Sequence, residues 1–121
     1  MLKTVNQFTF NQEVLASSNP VLVSFWAPWC GVCRLVSPML SELQTKWDGR
    51  IKLVSINADE NLKLANAYKL TTLPTVMLFD QGNIHCRLEQ FQNRDDLKTA
   101  SADLQAALEE IMLHQNSPAS V

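Results

Sequence analysis

The sequence predicts an α/β sandwich, a central and partly parallel sheet with helices on both faces. Three observations carry this expectation. Apolar runs of strand length alternate with stretches of helical period along the chain. The run Val21 to Trp26 is apolar almost throughout, the pattern of a strand covered on both sides. Late in the chain, the turn residues Asp80-Gln81-Gly82-Asn83 separate two strand-like runs and join them as a hairpin.

The elements follow in order. After a weak first strand, Thr9-x-x-Gln12 has the form of a capping box and opens a short helix to about Ala16. Ser17-Ser18-Asn19-Pro20 breaks it before the Val21 to Trp26 strand. From about Cys30 to Trp47, the residues Val36, Met39, Leu40, Leu43 and Trp47 recur at helical spacing, with Pro38 inside the pattern as an expected kink. Ile51 to Asn57 alternates as a strand. Asp59 to Tyr68 reads as a helix, its buried stripe formed by Leu62, Ala65, Leu64 and Tyr68. Thr75 to Phe79 and Ile84 to Gln90 are the hairpin strands. Leu97, Leu104, Leu108 and Ile111 mark a long closing helix. A single domain over residues 1–114 is expected, followed by a polar tail at 115–121.

Composition narrows the function. A chain of 121 residues holds one core, and 46% hydrophobic with 18% charged residues is a globular composition. The net charge of −2 argues against nucleic acid or an anionic membrane as partner. No apolar run approaches the roughly 20 residues of a membrane-spanning helix. Met1-Leu2-Lys3-Thr4-Val5 has neither the apolar core of a signal peptide nor an Arg-rich transit segment, so the expected home is the cytoplasm or a stroma-like compartment. Three cysteines are too few for a secreted disulfide scaffold.

Cys30-Gly31-Val32-Cys33 carries the chemistry. It lies where a strand ends and the long helix begins, so Cys30 is expected at the positive end of the helix dipole, which favours its thiolate. Two intervening residues bring Cys33 one turn further on, near enough to close a small ring. Cys30 can then attack a disulfide and Cys33 can resolve the mixed disulfide. Arg34 adds a positive charge. Zinc also uses this spacing, but it needs about four ligands. Only His85, Cys86 and His114 remain as soft or imidazole donors, and adjacent strand residues such as His85 and Cys86 point to opposite faces. No metal is expected.

The run Phe25-Trp26-Ala27-Pro28-Trp29-Cys30-Gly31-Val32-Cys33-Arg34 resembles the active-site segment of thioredoxins, nearest to bacterial and chloroplast m-type forms. Pro38, Asn57-Ala58-Asp59-Glu60-Asn61, Leu73-Pro74-Thr75 and Gly82 match at similar spacing, and the resemblance spans residues 1 to 112. It implies a thioredoxin fold, a mixed five-stranded sheet sandwiched by four helices, with Pro74 cis and facing the cysteines. It implies that the backbone before Pro74, at Thr72 and Leu73, pairs with an incoming peptide, and that Trp29 and Leu73 form the docking surface. The implied activity is reduction or exchange of protein disulfides by a monomer. A separate thioredoxin reductase supplies electrons, and no cofactor is needed beyond the redox-active cysteine pair.

Four positions depart from the resemblance. Val32 replaces the usual proline after Gly31, which restores an N–H and changes local stiffness, and a shift toward more oxidising potentials is expected. Ser24 stands where the family has a buried aspartate, and Ser55 where it has the accompanying lysine. A hydroxyl does not ionise near neutral pH, so proton transfer should change while the fold survives the paired loss of charge. Gln90 replaces a glycine beside the groove and should alter partner approach. These departures keep two alternatives in view: a specialised weak reductase or oxidase with few partners, and a binding module on the same fold. Elsewhere the plain readings hold. Cys86 is expected to be a buried apolar thiol alternating with Ile84 and Leu88, His85 to be solvated, and Trp26, Met39, Trp47 and Met77 to be packing residues.

Overall fold

The computed structural model describes residues 3–116. Five strands form one sheet: β1 (Lys3–Thr4), β2 (Val21–Trp26), β3 (Lys52–Asn57), β4 (Thr75–Asp80) and β5 (Asn83–Leu88). Their order across the sheet is β1-β3-β2-β4-β5. β3 runs parallel to both β1 and β2, whereas β4 is antiparallel to β2 and to β5. The helices are α1 (Cys33–Lys46), α2 (Leu62–Ala67) and α3 (Arg94–Asn116), together with a π-helical segment, Asn11–Leu15. A 3₁₀ turn, Ala58–Glu60, precedes α2. This is the thioredoxin fold that the resemblance implies. The parallel β2–β3 pair needs a crossover, and α1 supplies it.

Strand alternation builds two cores. Leu22 and Leu53 face α1 and α3, where Val36, Leu40, Leu43, Leu104, Leu108 and Ile111 close over them. Val21, Val23, Phe25, Val54 and Ile56 face the other way, onto Phe10, Val14, Leu64 and Phe79. Burying each large aliphatic or aromatic side chain contributes roughly 1.5–3 kcal/mol before chain entropy is counted. β2 and β4 are buried along almost their whole length, as a doubly covered strand requires. Asn93 starts α3 by accepting from the Asp96 backbone N–H at 2.9 Å, while the Asp96 carboxylate accepts from the Gln92 N–H at 2.7 Å.

Several local expectations give way to tertiary structure. The capping box at Thr9 does not form, because Asn6 uses that turn first. Its Oδ1 accepts from the backbone N–H groups of Phe8 and Thr9, and the Thr9 hydroxyl accepts from the Asn6 N–H. The segment that follows is π-helical, with Phe10 at its N-cap and no side-chain cap. The helix expected over 59–68 is split at Asn61, whose buried side chain accepts from the Gln7 N–H and donates to the Asn57 carbonyl. Leu62 then points outward, 63% exposed, and only Leu64 of the predicted stripe is fully buried. In the hairpin, Gln81 and Gly82 both take positive φ, as a tight two-residue turn demands. A register shift between Leu78 and Phe79 pairs Leu78 with Cys86 but Phe79 with Ile84. It breaks the predicted 84/86/88 alternation and leaves Ile84 exposed. Helix α3 continues through Asn116, and residues 117–121 of the predicted tail lie outside the described residues.

Candidate active site

β2 ends at Trp26, and the chain turns through Ala27, Pro28 and Trp29 before α1 begins. The cysteines flank the last step of that turn. Cys30 and Cys33 are joined as a disulfide, their Cα atoms 5.5 Å apart. Helix α1 starts at Cys33 with Val32 as N-cap, so Cys30 sits one turn before the helix rather than at its first residue. The Cys30 N–H donates to the Ala27 carbonyl at 3.1 Å, and the Arg34 and Leu35 N–H groups donate to the Gly31 and Val32 carbonyls. Cys30 is 7% exposed and Cys33 9%, so the two cysteines are almost equally covered. Gly31 is exposed with open space around it, and Val32 packs on the α1–α3 core.

Behind the disulfide lies a cavity of about 410 Å³. Ser24, Ser55, Cys30, Cys33 and Arg34 line it together. The two serines are direct partners across the parallel β2–β3 ladder and share the face that carries Leu22 and Leu53. Both are buried polar residues. Trp26 and Ser37 line the same cavity, and sequence reading assigned neither to the site. Ser37 was accessible to helical spacing, since it lies four residues after Cys33 on the same face of α1. The Trp26 indole N–H is buried with no hydrogen-bond partner among the described residues, which no sequence pattern signals.

A groove on the outer side gathers Trp29, Thr72 and Leu73 with Asp59, Leu62 and Leu70. Trp29 is 70% exposed, and its indole N–H donates to the Asp59 carboxylate at 2.8 Å. That bond tethers a large exposed ring next to Cys30 in the chain, and sequence reading gave Asp59 no such task. The Leu73–Pro74 peptide is cis, as the resemblance implies, and Pro74 is buried. Thr75 donates its hydroxyl to the Thr72 carbonyl at 2.8 Å, fixing the loop before β4. Gln90 joins neither the cavity nor the groove. It lies beyond β5, exposed, over a separate hollow lined by Arg87, Asp96 and Asp103.

Cys86 is half-buried against the α1–α3 core, and burial together with Asp103 pushes its thiol pKa up. His85 is exposed. Among the described residues no three His, Cys, Asp or Glu side chains come together as a metal site would require, and no helix is long and apolar enough to cross a membrane. The dithiol–disulfide pair is chemically sufficient for electron transfer between thiols.

The thioredoxin family profile matches residues 1–103. Thioredoxin 1 of Nostoc sp. is 50% identical over 78 residues, covering 64% of this chain and 73% of that protein. Thioredoxin 1 of Synechococcus elongatus is 49% identical over the same shares. The chloroplastic M-type thioredoxin of Chlamydomonas reinhardtii is 45% identical over 64% of this chain and 56% of its own length. With a disulfide at the strand–helix junction and a family match over most of its length, the chain is a thiol–disulfide oxidoreductase and belongs to the thioredoxin family.

Proposed function

We propose that this protein reduces disulfides in other proteins, with Cys30 attacking and Cys33 resolving. The observation that carries the reading is the Cys30–Cys33 disulfide at the strand–helix junction, lining the cavity with Ser24 and Ser55 and following directly on Trp29 of the outer groove. Cys30 adjoins Trp29 on the groove side, whereas Cys33 belongs to the buried stripe of α1 with Val36 and Leu40. A Cys30 thiolate forms a bond to one substrate sulfur and displaces the other as thiolate. The Cys33 thiolate then attacks Cys30, closing the Cys30–Cys33 bond and releasing the second substrate thiol. Two electrons pass to the substrate. Thr72 and Leu73, ahead of cis-Pro74, offer backbone groups to an extended peptide beside Trp29.

In this reading Gly31, Val32, Arg34, Ser24 and Ser55 tune the potential and the proton transfers. Gln90 acts on partner choice from its separate hollow beyond β5, outside the cavity and the groove. A separate thioredoxin reductase recharges the pair, no further cofactor takes part, and the protein works as a monomer in the cytoplasm or a stroma-like compartment. Insulin reduction tests the proposal, first with a chemical reductant and then with candidate thioredoxin reductases. Precipitation of insulin chains under both regimes supports it. Activity with chemical reductant alone points to a specialised weak reductase, a reading favoured by the carboxylate-free cavity. No activity under either regime leaves a binding module.

A further inference from the structure

Six large hydrophobic side chains stand exposed among the described residues, and three of them gather at one pole of the sheet. β1, β3 and β2 run parallel, so their C-terminal ends lie together. Phe8 follows β1, Leu62 follows β3 and Trp29 follows β2. Because the strands stand in the order β1-β3-β2, the three residues fall in a row with Leu62 in the middle. Phe8 is 82% exposed, more than either of the others, and neither core includes its ring. Trp29 and Leu62 share the groove beside the disulfide. Phe8 lies outside that groove but is held against its far end. The Gln7 backbone N–H donates to the Asn61 side chain at 2.8 Å, and the Gln7 side-chain oxygen accepts from the Lys63 N–H at 3.2 Å. These bonds clamp the chain before Phe8 onto both sides of Leu62. The Phe8 N–H itself donates to the Asn6 side chain at 2.8 Å, which fixes the turn. A lone exposed ring needs no explanation, but a row of three on fixed backbone marks an interaction surface.

We propose that Phe8 is a specificity-determining residue, selecting substrate segments that carry a large apolar side chain a few residues from their disulfide. The inference rests on the disulfide-exchange reading above and adds an outer subsite to it. The occupant is an extended stretch of the substrate protein, because the row continues the groove that adjoins the reacting cysteines. The row also acts as a ruler. Neighbouring strands lie about 4.8 Å apart, so the two strand steps from Trp29 to Phe8 cover roughly 10 Å. An extended peptide rises about 3.3 Å per residue and crosses that span in about three residues. Cys30 follows Trp29 directly, so a substrate cysteine bonded to Cys30 places its third or fourth neighbour over Phe8. Asp59, Glu60 and Lys63 border the row with both signs of charge, which leaves apolar contact as the discriminating term. Covering Phe8 takes apolar surface out of water when the substrate docks, and it touches no reacting atom. It therefore changes binding and leaves the chemical step alone.

The test uses the full chain and synthetic peptides of serine and alanine, each with one cysteine held as a 2-pyridyl disulfide. A single phenylalanine is placed next to the cysteine, three or four residues away, or seven away, on either side in separate peptides. Reduced protein is mixed with each peptide over a range of concentrations, and stopped flow follows 2-thiopyridone as Cys30 bonds to the peptide sulfur and expels it. Phenylalanine three or four residues away on one side should lower the half-saturating concentration about tenfold against the peptide without phenylalanine. The limiting rate should stay the same, and phenylalanine seven residues away should give no such gain. Phe8→Ser should abolish the gain, yet react like wild type with dipyridyl disulfide, which is too short to reach the outer subsite. Leu62→Ser is the second variant and should weaken the gain in part. A gain that survives Phe8→Ser, or one that ignores the position of phenylalanine, overturns the subsite. Self-association of the wild type that Phe8→Ser removes, with no gain from any peptide, gives the row to a second copy and overturns the proposal. Release of 2-thiopyridone without any positional gain overturns the subsite alone, whereas no release from any probe overturns the exchange reading and the subsite with it.

Discussion

The two faces of the β2–β3 pair are built for opposite ends. On one face Val23, Phe25, Val54 and Ile56 meet Phe10, Leu64, Met77 and Phe79 in a filled core. Four aromatic contacts reinforce it, with Phe10, Phe25 and Phe79 arranged around Tyr68 or each other at centroid distances of 5.6–6.3 Å. On the other face Leu22 and Leu53 pack as tightly under α1 and α3, but one step further along both strands the apolar pattern stops. Ser24 and Ser55 stand there side by side, and the core gives way to a cavity beneath Cys33. The same two strands thus supply rigidity on one side and, on the other, a hollow floored by two serines. Stability should depend on the first and the rate of exchange on the second.

The largest effect belongs to the cysteines above the hollow. Cys30→Ser should abolish disulfide exchange, and Cys33→Ser should accumulate mixed disulfides with protein partners. Both variants should keep their unfolding midpoints under reducing conditions to within about 1 kcal/mol, since small polar replacements at the core's edge cost little. Trapping experiments read by mass spectrometry check the assignment. Trapping by the Cys30→Ser form would reverse the two roles, which matters because the cysteines are almost equally covered.

The filled face gives the next largest effect. Phe25 is 0% exposed, and Phe25→Ala should cost about 3–5 kcal/mol in urea unfolding. Ser24→Ala, its chain neighbour pointing into the hollow, should cost less than about 1 kcal/mol, because the hydroxyl opens onto the cavity. Equal losses for the two variants would erase the distinction between the faces.

The sequence reveals the filled face better than the hollow one. Val21 to Trp26 announces a doubly covered strand through composition alone, and the stripe Val36, Leu40, Leu43 of α1 is plain at helical spacing. Local period fails where a distant partner decides. Asn61 splits the third predicted helix because it is bonded to Gln7, 54 residues away. The register shift opposite Leu78 and Phe79 turns Ile84 outward, and an inserted residue leaves no mark in a two-residue alternation. The cysteine pair was legible from Cys-x-x-Cys, and Thr72, Leu73, cis-Pro74 and Ser24 with Ser55 only through the resemblance. The contribution of Trp26 to the cavity was not legible, since an apolar residue ending a strand reads as packing.

A carboxylate placed in the hollow should raise the rate and lower the stability. Ser24→Asp supplies a tethered base, and mixed-disulfide resolution should quicken by about tenfold near neutral pH, short of full general-base assistance. The buried charge should also destabilise the fold, and Ser55→Lys, directly opposite in the β2–β3 register, should recover part of the loss. Stopped-flow resolution and urea unfolding across wild type, Ser24→Asp and the double variant separate the two consequences. Equal resolution rates in all three would make Ser24 a packing residue and shift attention to Val32 and Gln90.

The smallest effect tests the filled face at its rim. The Glu13 carboxylate in the π-helical segment contacts Lys3 of β1 at 2.8 Å and Lys52 of β3 at 2.5 Å, tying the edge of the sheet to the segment that covers it. Hydrogen bonds from Lys3 first and Lys52 second lower its pKa from 4.5 to about 2. A carboxylate whose folded pKa is depressed binds fewer protons in the native state than in the unfolded one. Its contribution is therefore complete above the unfolded value near 4.5 and lost as pH falls toward about 2. Glu13→Gln should accordingly lower the unfolding midpoint slightly at pH 7, and by the same amount at pH 6. The gap from wild type should close between about 4.5 and about 2, and it should shrink with added salt at neutral pH because both lysines are partly solvated. Thermal unfolding of the two proteins across that range supplies the measurement. A gap unchanged at pH 2 would mean that the substitution disturbs packing around Val14, so that the rim is held by the apolar face rather than by charge.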